Sequence, residues 1–323
     1  VGLTRTLVDI PSPTGSEDAC AAYLRDWFRA RGVPAESQAL EPGRANVVAR
    51  LAGSGQGPSL LLAGHIDTSY SGDPDLDYAG LGAGGPNDRP TAFELGDGIY
   101  GLGAFNQKGG LAAAAVALAV LAAGPRLAGD VVFAGLAGES EKAPIRGAVR
   151  DRTGPAYVGR GYGARRYLAL GRPADLAVVT GPSGLRVVNA QAGSLFVEVV
   201  ACGRPAYLGR RVGGTASPIE VAMELVGVLA DWGRAYAKTH RHDTGLGSLE
   251  PRLTIGAVEG GWSFAPSTSP AVCHLYLDLR TAPGRSQAGA LAGLRSCLRS
   301  VGARNAGVEL RGRVFGRVRG TET

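Results

Sequence analysis

The sequence predicts an α/β unit with a mostly parallel sheet, followed by a ferredoxin-like α+β unit. Three observations predict this. Up to about residue 186, short apolar strand-like runs alternate with helical patterns, as units with a parallel sheet do. From about residue 187 the order changes to strand, helix, strand, strand, helix, strand, which is the split β-α-β arrangement. The chain of 323 residues, 45% of them hydrophobic, exceeds the roughly 250 to 300 residues at which single cores divide. The expected partition is 1–186 for the first unit, 187–315 for the second, and 316–323 for the start of a return to the first.

A helix over 3–10 comes first, and the Pro-rich turn PSPTGSE leads into a second over 16–31, with Glu17 and Asp18 in its first turn. Strands follow at 45–52, 58–64, 129–136 and 175–180, with helices at 108–123 and 161–170. The uncharged stretch GGLAAAAVALAVLAAGP is Ala-rich and closes at Gly124 and Pro125. It reads as a helix inside the domain rather than a span of about 20 strongly apolar residues. In the second unit, strands are expected at 194–202, 252–258, 271–279 and 307–314, and helices at 218–232 and 286–301.

Composition narrows the function classes. Of the 34 basic residues only Lys108, Lys142 and Lys238 are lysines, so the net charge of +6 comes from arginine. Few arginines cluster. In VELRGRVFGRVRG they alternate with apolar residues or Gly, which describes one solvated face of a strand rather than a nucleic-acid groove. Cys20, Cys202, Cys273 and Cys297 form no C-x-x-C and read as buried thiols of a reducing compartment. No secretory signal is visible, so the expected location is the cytoplasm, with neither nucleic acid nor membrane as partner.

Chemistry concentrates at LLLAGHIDT, residues 60–68. Four apolar residues make a buried strand, Gly64 lets the chain turn, and His65 and Asp67 appear where α/β sheets bind ligands. The pair reads as a metal ligand and a carboxylate that fixes its tautomer or also ligates. It reads equally as a strand-end His and a turn Asp without metal.

GLGAFNQKGG (101–110) and LAGESEK (136–142) stand in the same order and settings as motifs of one family. Over essentially its whole length the chain resembles the co-catalytic zinc hydrolases that include acetylornithine deacetylase, succinyl-diaminopimelate desuccinylase, aminoacylase and the glutamate-releasing carboxypeptidases. The resemblance implies a zinc-hydrolase-type catalytic domain carrying a ferredoxin-like lid that pairs two subunits into a homodimer. It implies amide hydrolysis of an N-acyl amino acid or small peptide, with Glu139 as general base, Asp67 beside the ligand His65, and zinc as cofactor, cobalt or manganese being other candidates.

Departures from that pattern are expected to weaken metal binding. Asn106 stands where the family has a metal-bridging Asp, Ser140 at a metal-binding Glu, and Gly181 at the Glu of an E-P-[ST] segment. A neutral amide offers one carbonyl oxygen but no anionic bridge. Glu141 is a candidate substitute ligand, since residues 139 and 141 point the same way in an extended segment. Sliding the frame by two residues instead makes Glu141 the base and puts Lys142 at the ligand. In CGRPAYLGR, Tyr207 stands at the lid His that in the family reaches the partner subunit's site and stabilises the oxyanion, and a phenol still donates a hydrogen bond. The family's last ligand, a His after the lid, has no counterpart. The chain begins at Val1 and stops at Thr323, so it reads as a fragment, or as an incomplete catalytic half needing another cover.

Between Glu141 and Gly161 lies an insertion relative to the family pattern. Its Arg146, Arg150, Arg152 and Arg160 are placed to meet a substrate carboxylate, Arg146 and Arg160 foremost. A solvated loop is the plain alternative. His274, Asp278 and Arg280 read as structural, and His240 and His242 as members of a polar loop. The competing functional class is a non-hydrolytic relative that binds an amino-acid-like ligand or serves as a dimeric scaffold.

Overall fold

The computed structural model describes residues 1–73, 77, 84–140, 156–171, 173–207 and 216–322. They form two compact units that divide between Leu185 and Arg186.

In the first unit, helices Gly2–Asp9 (α1) and Asp18–Arg29 (α2) precede strands Ala35–Glu41 (β1), Arg44–Leu51 (β2) and Leu60–His65 (β3). A short hairpin, Phe93–Leu95 (β4) with Gly98–Tyr100 (β5), leads to helix Gly109–Ala122 (α3). Strand Val131–Leu136 (β6), helix Tyr162–Ala169 (α4) and strand Leu176–Val179 (β7) complete the unit. The main sheet has the order β1-β2-β6-β3-β7. The mostly parallel sheet expected from the sequence is corrected here. Only β3 pairs in parallel, with β6 and β7, while β1 with β2 and β2 with β6 are antiparallel. The cause is β1, absent from the sequence reading. Pro42 and Gly43 turn the chain directly from β1 into β2, with Gly43 at φ 79°, and so short a link joins only antiparallel strands.

One face of this sheet is filled from α1, α2 and α3 by Leu7, Leu24, Phe28, Leu111 and Leu118 packed on Val47 and Phe133. Tyr167 of α4 packs on the other face against Val48, Ala63 and Ala134. The run Ala104–Ala122 is long and apolar enough to cross a membrane by length and composition. Its Leu111, Ala112, Ala115 and Leu118 lie in the core, whereas Val116 and Val120 are exposed.

The second unit opens with Ala190–Gln191 (β8), Gly193–Cys202 (β9) and Ala206–Tyr207 (β10). Helix Pro218–Thr239 (α5), the hairpin His242–Thr244 (β11) and Gly247–Leu249 (β12), and strands Arg252–Gly260 (β13), Thr268–Ser269 (β14) and Val272–Thr281 (β15) follow. Helix Gln287–Arg304 (α6), Glu309–Val318 (β16) and Thr321–Glu322 (β17) close it. The four-stranded sheet runs β13-β15-β9-β16, every pairing antiparallel, which is the split β-α-β order. Along β15, Cys273, Leu275, Leu277 and Leu279 face the core with Leu225 and Leu229 of α5 and Leu294 and Leu298 of α6. Strand alternation puts His274, Tyr276, Asp278 and Arg280 on the opposite face.

α5 begins in a capping box: Ser217 Oγ accepts the Glu220 N–H, and the Glu220 carboxylate accepts the Ser217 N–H. It runs about two turns beyond the expected 232, because Tyr236 stays buried and stacks on Trp232. The polar loop expected around His240 and His242 is corrected as well. His240 stacks on Tyr236, and His242 enters a hairpin with Nε2 2.6 Å from Glu322 Oε2. A return to the first unit at residue 316 does not occur among the described residues. β16 stays paired with β9 to Val318, and β17 pairs with β8.

Candidate metal centre and active site

The site assembles where the parallel neighbours β3 and β6 end, His65 lying opposite Leu136 in register. Gly64 leaves room there. A Cβ at this position would lie 2.4 Å from Gln107 Oε1 and 2.5 Å from Thr180 Oγ1. The Gln107 side chain uses the space to accept the His65 N–H at 2.9 Å, and the Thr180 hydroxyl donates to the same oxygen at 3.2 Å.

His65 is held from both sides. Its Nδ1 lies 2.9 Å from the Asp67 carbonyl oxygen, an acceptor only, so Nδ1 carries the hydrogen. In the neutral ring Nε2 then presents a lone pair, yet it lies 3.2 Å from Asn106 Oδ1, a second acceptor. Three arrangements resolve this: an imidazolium, the Asn106 amide turned so that its NH₂ donates, or a cation bound by both atoms.

Asp67 is 1% exposed, and its carboxylate receives three donors: the Glu139 N–H and the Ser140 N–H, each at 3.0 Å, and the Thr14 hydroxyl at 3.1 Å. Thus the loop after β3, the loop after β6 and the turn at Thr14 converge on one anion. Further bonds brace that turn: Ser12 Oγ donates to the Ile66 carbonyl at 2.6 Å, and Lys108 Nζ to the Ile10 carbonyl at 2.9 Å. Burial holds the Lys108 ammonium below the usual lysine pKa.

Glu139 follows Gly138, whose φ of 75° favours glycine and whose Cβ would lie 2.6 Å from Arg44 Nη2. Its carbonyl accepts the Arg160 N–H at 2.8 Å. Its carboxylate Oε2 accepts the Ser140 hydroxyl at 3.1 Å, and Ser140 Oγ lies 2.7 Å from Ser69 Oγ. Behind this loop the fully buried Arg44 pairs with Glu17 at 2.9 Å and donates to the Val158 carbonyl at 2.9 Å.

His65, Asp67 and Glu139 are the one described group of three metal-ligating side chains whose donor atoms lie within 4.8 Å of one another. Asn106 joins them through its contact with His65. Tyr207 lies in β10 of the second unit, 61% exposed. Arg160 precedes α4, anchored to Glu139 by its backbone. Glu141 and Arg146, with Lys142, Arg150 and Arg152, lie outside the described residues. Sequence reasoning missed Thr14, Ser69, Gln107 and the Arg44–Glu17 pair. Each acts across a long sequence separation, and only Glu17 carried a signal, read there as a helix-start charge.

The donor set fits one dication better than two. With Asp67 occupied by three hydrogen bonds, His65 Nε2 and the neutral Asn106 oxygen remain as described ligands, with the Glu139 carboxylate beside them. Among the described residues one carboxylate remains free, and it does not balance two dications.

The fold is that of M20 peptidases, of mixed α/β content. Among solved structures, a metallo-carboxypeptidase of that family from Sulfolobus solfataricus aligns with a TM-score of 0.65 at 19% identity, over 98% of this chain and 78% of its own. A dinuclear metal-binding peptidase of the family from Bacillus subtilis aligns at 0.59 and 16% identity, over 100% and 74%. No protein-family model matches the chain. Its relatives by sequence bear the names the motifs pointed to. An acetylornithine deacetylase from Aliivibrio salmonicida is 27% identical over 86% of this chain and 65% of its own length. A succinyl-diaminopimelate desuccinylase from a Methylobacterium species is 33% identical over 46% and 37%. The chain thus spans about two thirds of the length of the acetylornithine deacetylases it matches.

Proposed function

We propose that the chain belongs to a metal-dependent hydrolase that cleaves the amide bond of an N-acyl amino acid or small peptide. The observation that carries this is the convergence of His65, Asp67 and Glu139 at the ends of two parallel strands. His65 and Asn106 would hold the ion, with Glu141 a further candidate from outside the described residues, and Glu139 stands beside them as the base. Zinc suits the imidazole and carboxylate donors, and cobalt or manganese are alternatives. When bound, the ion polarises the scissile carbonyl and acidifies water.

Asp67 keeps the His65 ring oriented through the loop it organises. The Glu139 carboxylate, one oxygen steadied by Ser140, accepts a proton from water and passes it to the departing amine. Arg160 and Arg146 pair with the substrate carboxylate, and Tyr207 of the partner subunit donates its phenol hydrogen to the developing oxyanion. We assign the second unit as a lid that forms a homodimer, and the cytoplasm as the location. Hydrolase names among the relatives make the non-hydrolytic alternative the less favoured reading.

Chelation tests the proposal. Hydrolysis of N-acetyl amino acids should vanish after treatment with a chelator and return on adding zinc, cobalt or manganese. Activity that survives complete metal removal would reject it.

A further inference from the structure

Beside His65 and Asn106 the first unit holds a cavity of about 240 Å³. Its described walls include Tyr70, Asn87, Leu102 and Phe105, and no lysine, arginine, aspartate or glutamate. Phe105, next to the candidate ligand Asn106, is 70% exposed. An isolated surface Phe needs no explanation, but one that walls a cavity opening on the reacting centre offers a flat apolar face to whatever enters.

Charge decides what can enter. Beyond reach of an ion held by His65 and Asn106, an ammonium or carboxylate placed there would lose part of its hydration with no counter-charge on the described walls, which is unfavourable. A neutral apolar group loses nothing of that kind and gains contact with Phe105, Tyr70 and Leu102. The substrate has two halves to place. Arg160 is tied to Glu139 on the β6 side of the centre, while the cavity lies on the β3 side, next to His65 and Asn106.

We infer that this cavity is an acyl pocket for a neutral, apolar or aromatic group, with Phe105 as its specificity-determining residue. The assignment of the acyl half to it rests on the hydrolytic reading above. Charged acyl groups such as succinyl are disfavoured.

The test is calorimetric titration of the zinc-supplemented chain with N-benzoylglycine, N-acetylglycine and N-succinylglycine, which differ only in the acyl group. The benzoyl compound should bind about tenfold tighter than the acetyl compound, within the range one apolar contact surface supplies, and the succinyl compound no tighter than the acetyl. Phe105→Ala should bring benzoyl and acetyl affinities within twofold, with the melting temperature unchanged because the ring is exposed. Glu139→Gln should keep the benzoyl preference. Equal benzoyl and acetyl binding, no binding of any of the three, or a preference that survives Phe105→Ala would overturn the pocket. A benzoyl preference without hydrolysis of any N-acyl amino acid would instead reject the hydrolytic reading and leave the pocket standing.

Discussion

The buried carboxylate of Asp67 accepts the backbone N–H of Glu139 at 3.0 Å, so the residue two positions after the candidate ligand fixes the backbone of the candidate base. With the Ser140 N–H on its other oxygen, this one side chain sets the spacing between the two halves of the centre.

Replacing that anion should therefore disturb the metal site before it disturbs the fold. Asp67→Asn swaps one acceptor oxygen for a donor that faces an N–H or a hydroxyl. Zinc affinity is expected to fall about 10- to 100-fold, the usual cost of losing an orienting partner. Calorimetry with zinc alone measures it, and a change below twofold would remove Asp67 from that role.

Restoring anionic donors should act in the opposite direction. A Cβ at Gly181 meets no atom within 4 Å, so a longer side chain is sterically admitted there. The triple variant Asn106→Asp, Ser140→Glu, Gly181→Glu is expected to bind zinc at least about tenfold tighter than the natural chain, since charged oxygens replace neutral or missing ones. Equal affinity would mean that donors elsewhere already hold the ion.

Much of this was legible in the sequence because it is local. His65 and Asp67 announced themselves by spacing at the end of an apolar run, and the α5 helix by its place in the strand and helix order, expected over 218–232. Contacts between distant segments left no such trace. Nothing in PSPTGSE shows that Thr14 reaches Asp67, and nothing near Ser69 shows that its hydroxyl meets Ser140. The β1–β2 hairpin escaped for another reason: AESQALE carries only weak apolar alternation, and pairing with β2 supplies what local propensity lacks.

The Arg44–Glu17 pair gives a prediction about stability. Both side chains are fully buried, and removing one partner strands a charge. Glu17→Ala should destabilise the first unit by about 3 to 5 kcal/mol, read by urea denaturation. The double variant Glu17→Leu, Arg44→Met should recover most of the loss. If Glu17→Ala costs under about 1 kcal/mol, water reaches the guanidinium and the burial argument fails.

Glu198 predicts an acid dependence in the second unit. Burial alone would raise its pKa, but hydrogen bonds from Arg313 and His274 outweigh it and hold the carboxyl below its ordinary value of 4.5. A depressed folded-state pKa contributes stability that is present above 4.5 and lost as pH falls through the lower folded value. Unfolding free energy measured as pH falls from 4.5 toward the lower folded value should thus fall less steeply in Glu198→Gln than in the natural chain. Salt should weaken the Arg313 share, because that side chain is largely exposed. Identical acid slopes would count against the assignment.

The central claim is that Glu139 moves the proton in a metal-dependent amide hydrolysis, and one variant tests it most directly. Glu139→Gln keeps the size of the side chain and its contact with Ser140 but cannot accept a proton from water. With zinc supplied, its turnover of an N-acyl amino acid should drop about 100-fold or more relative to the natural chain, while the melting temperature stays the same. A Glu139→Gln protein that hydrolyses the substrate at the natural rate would contradict the account.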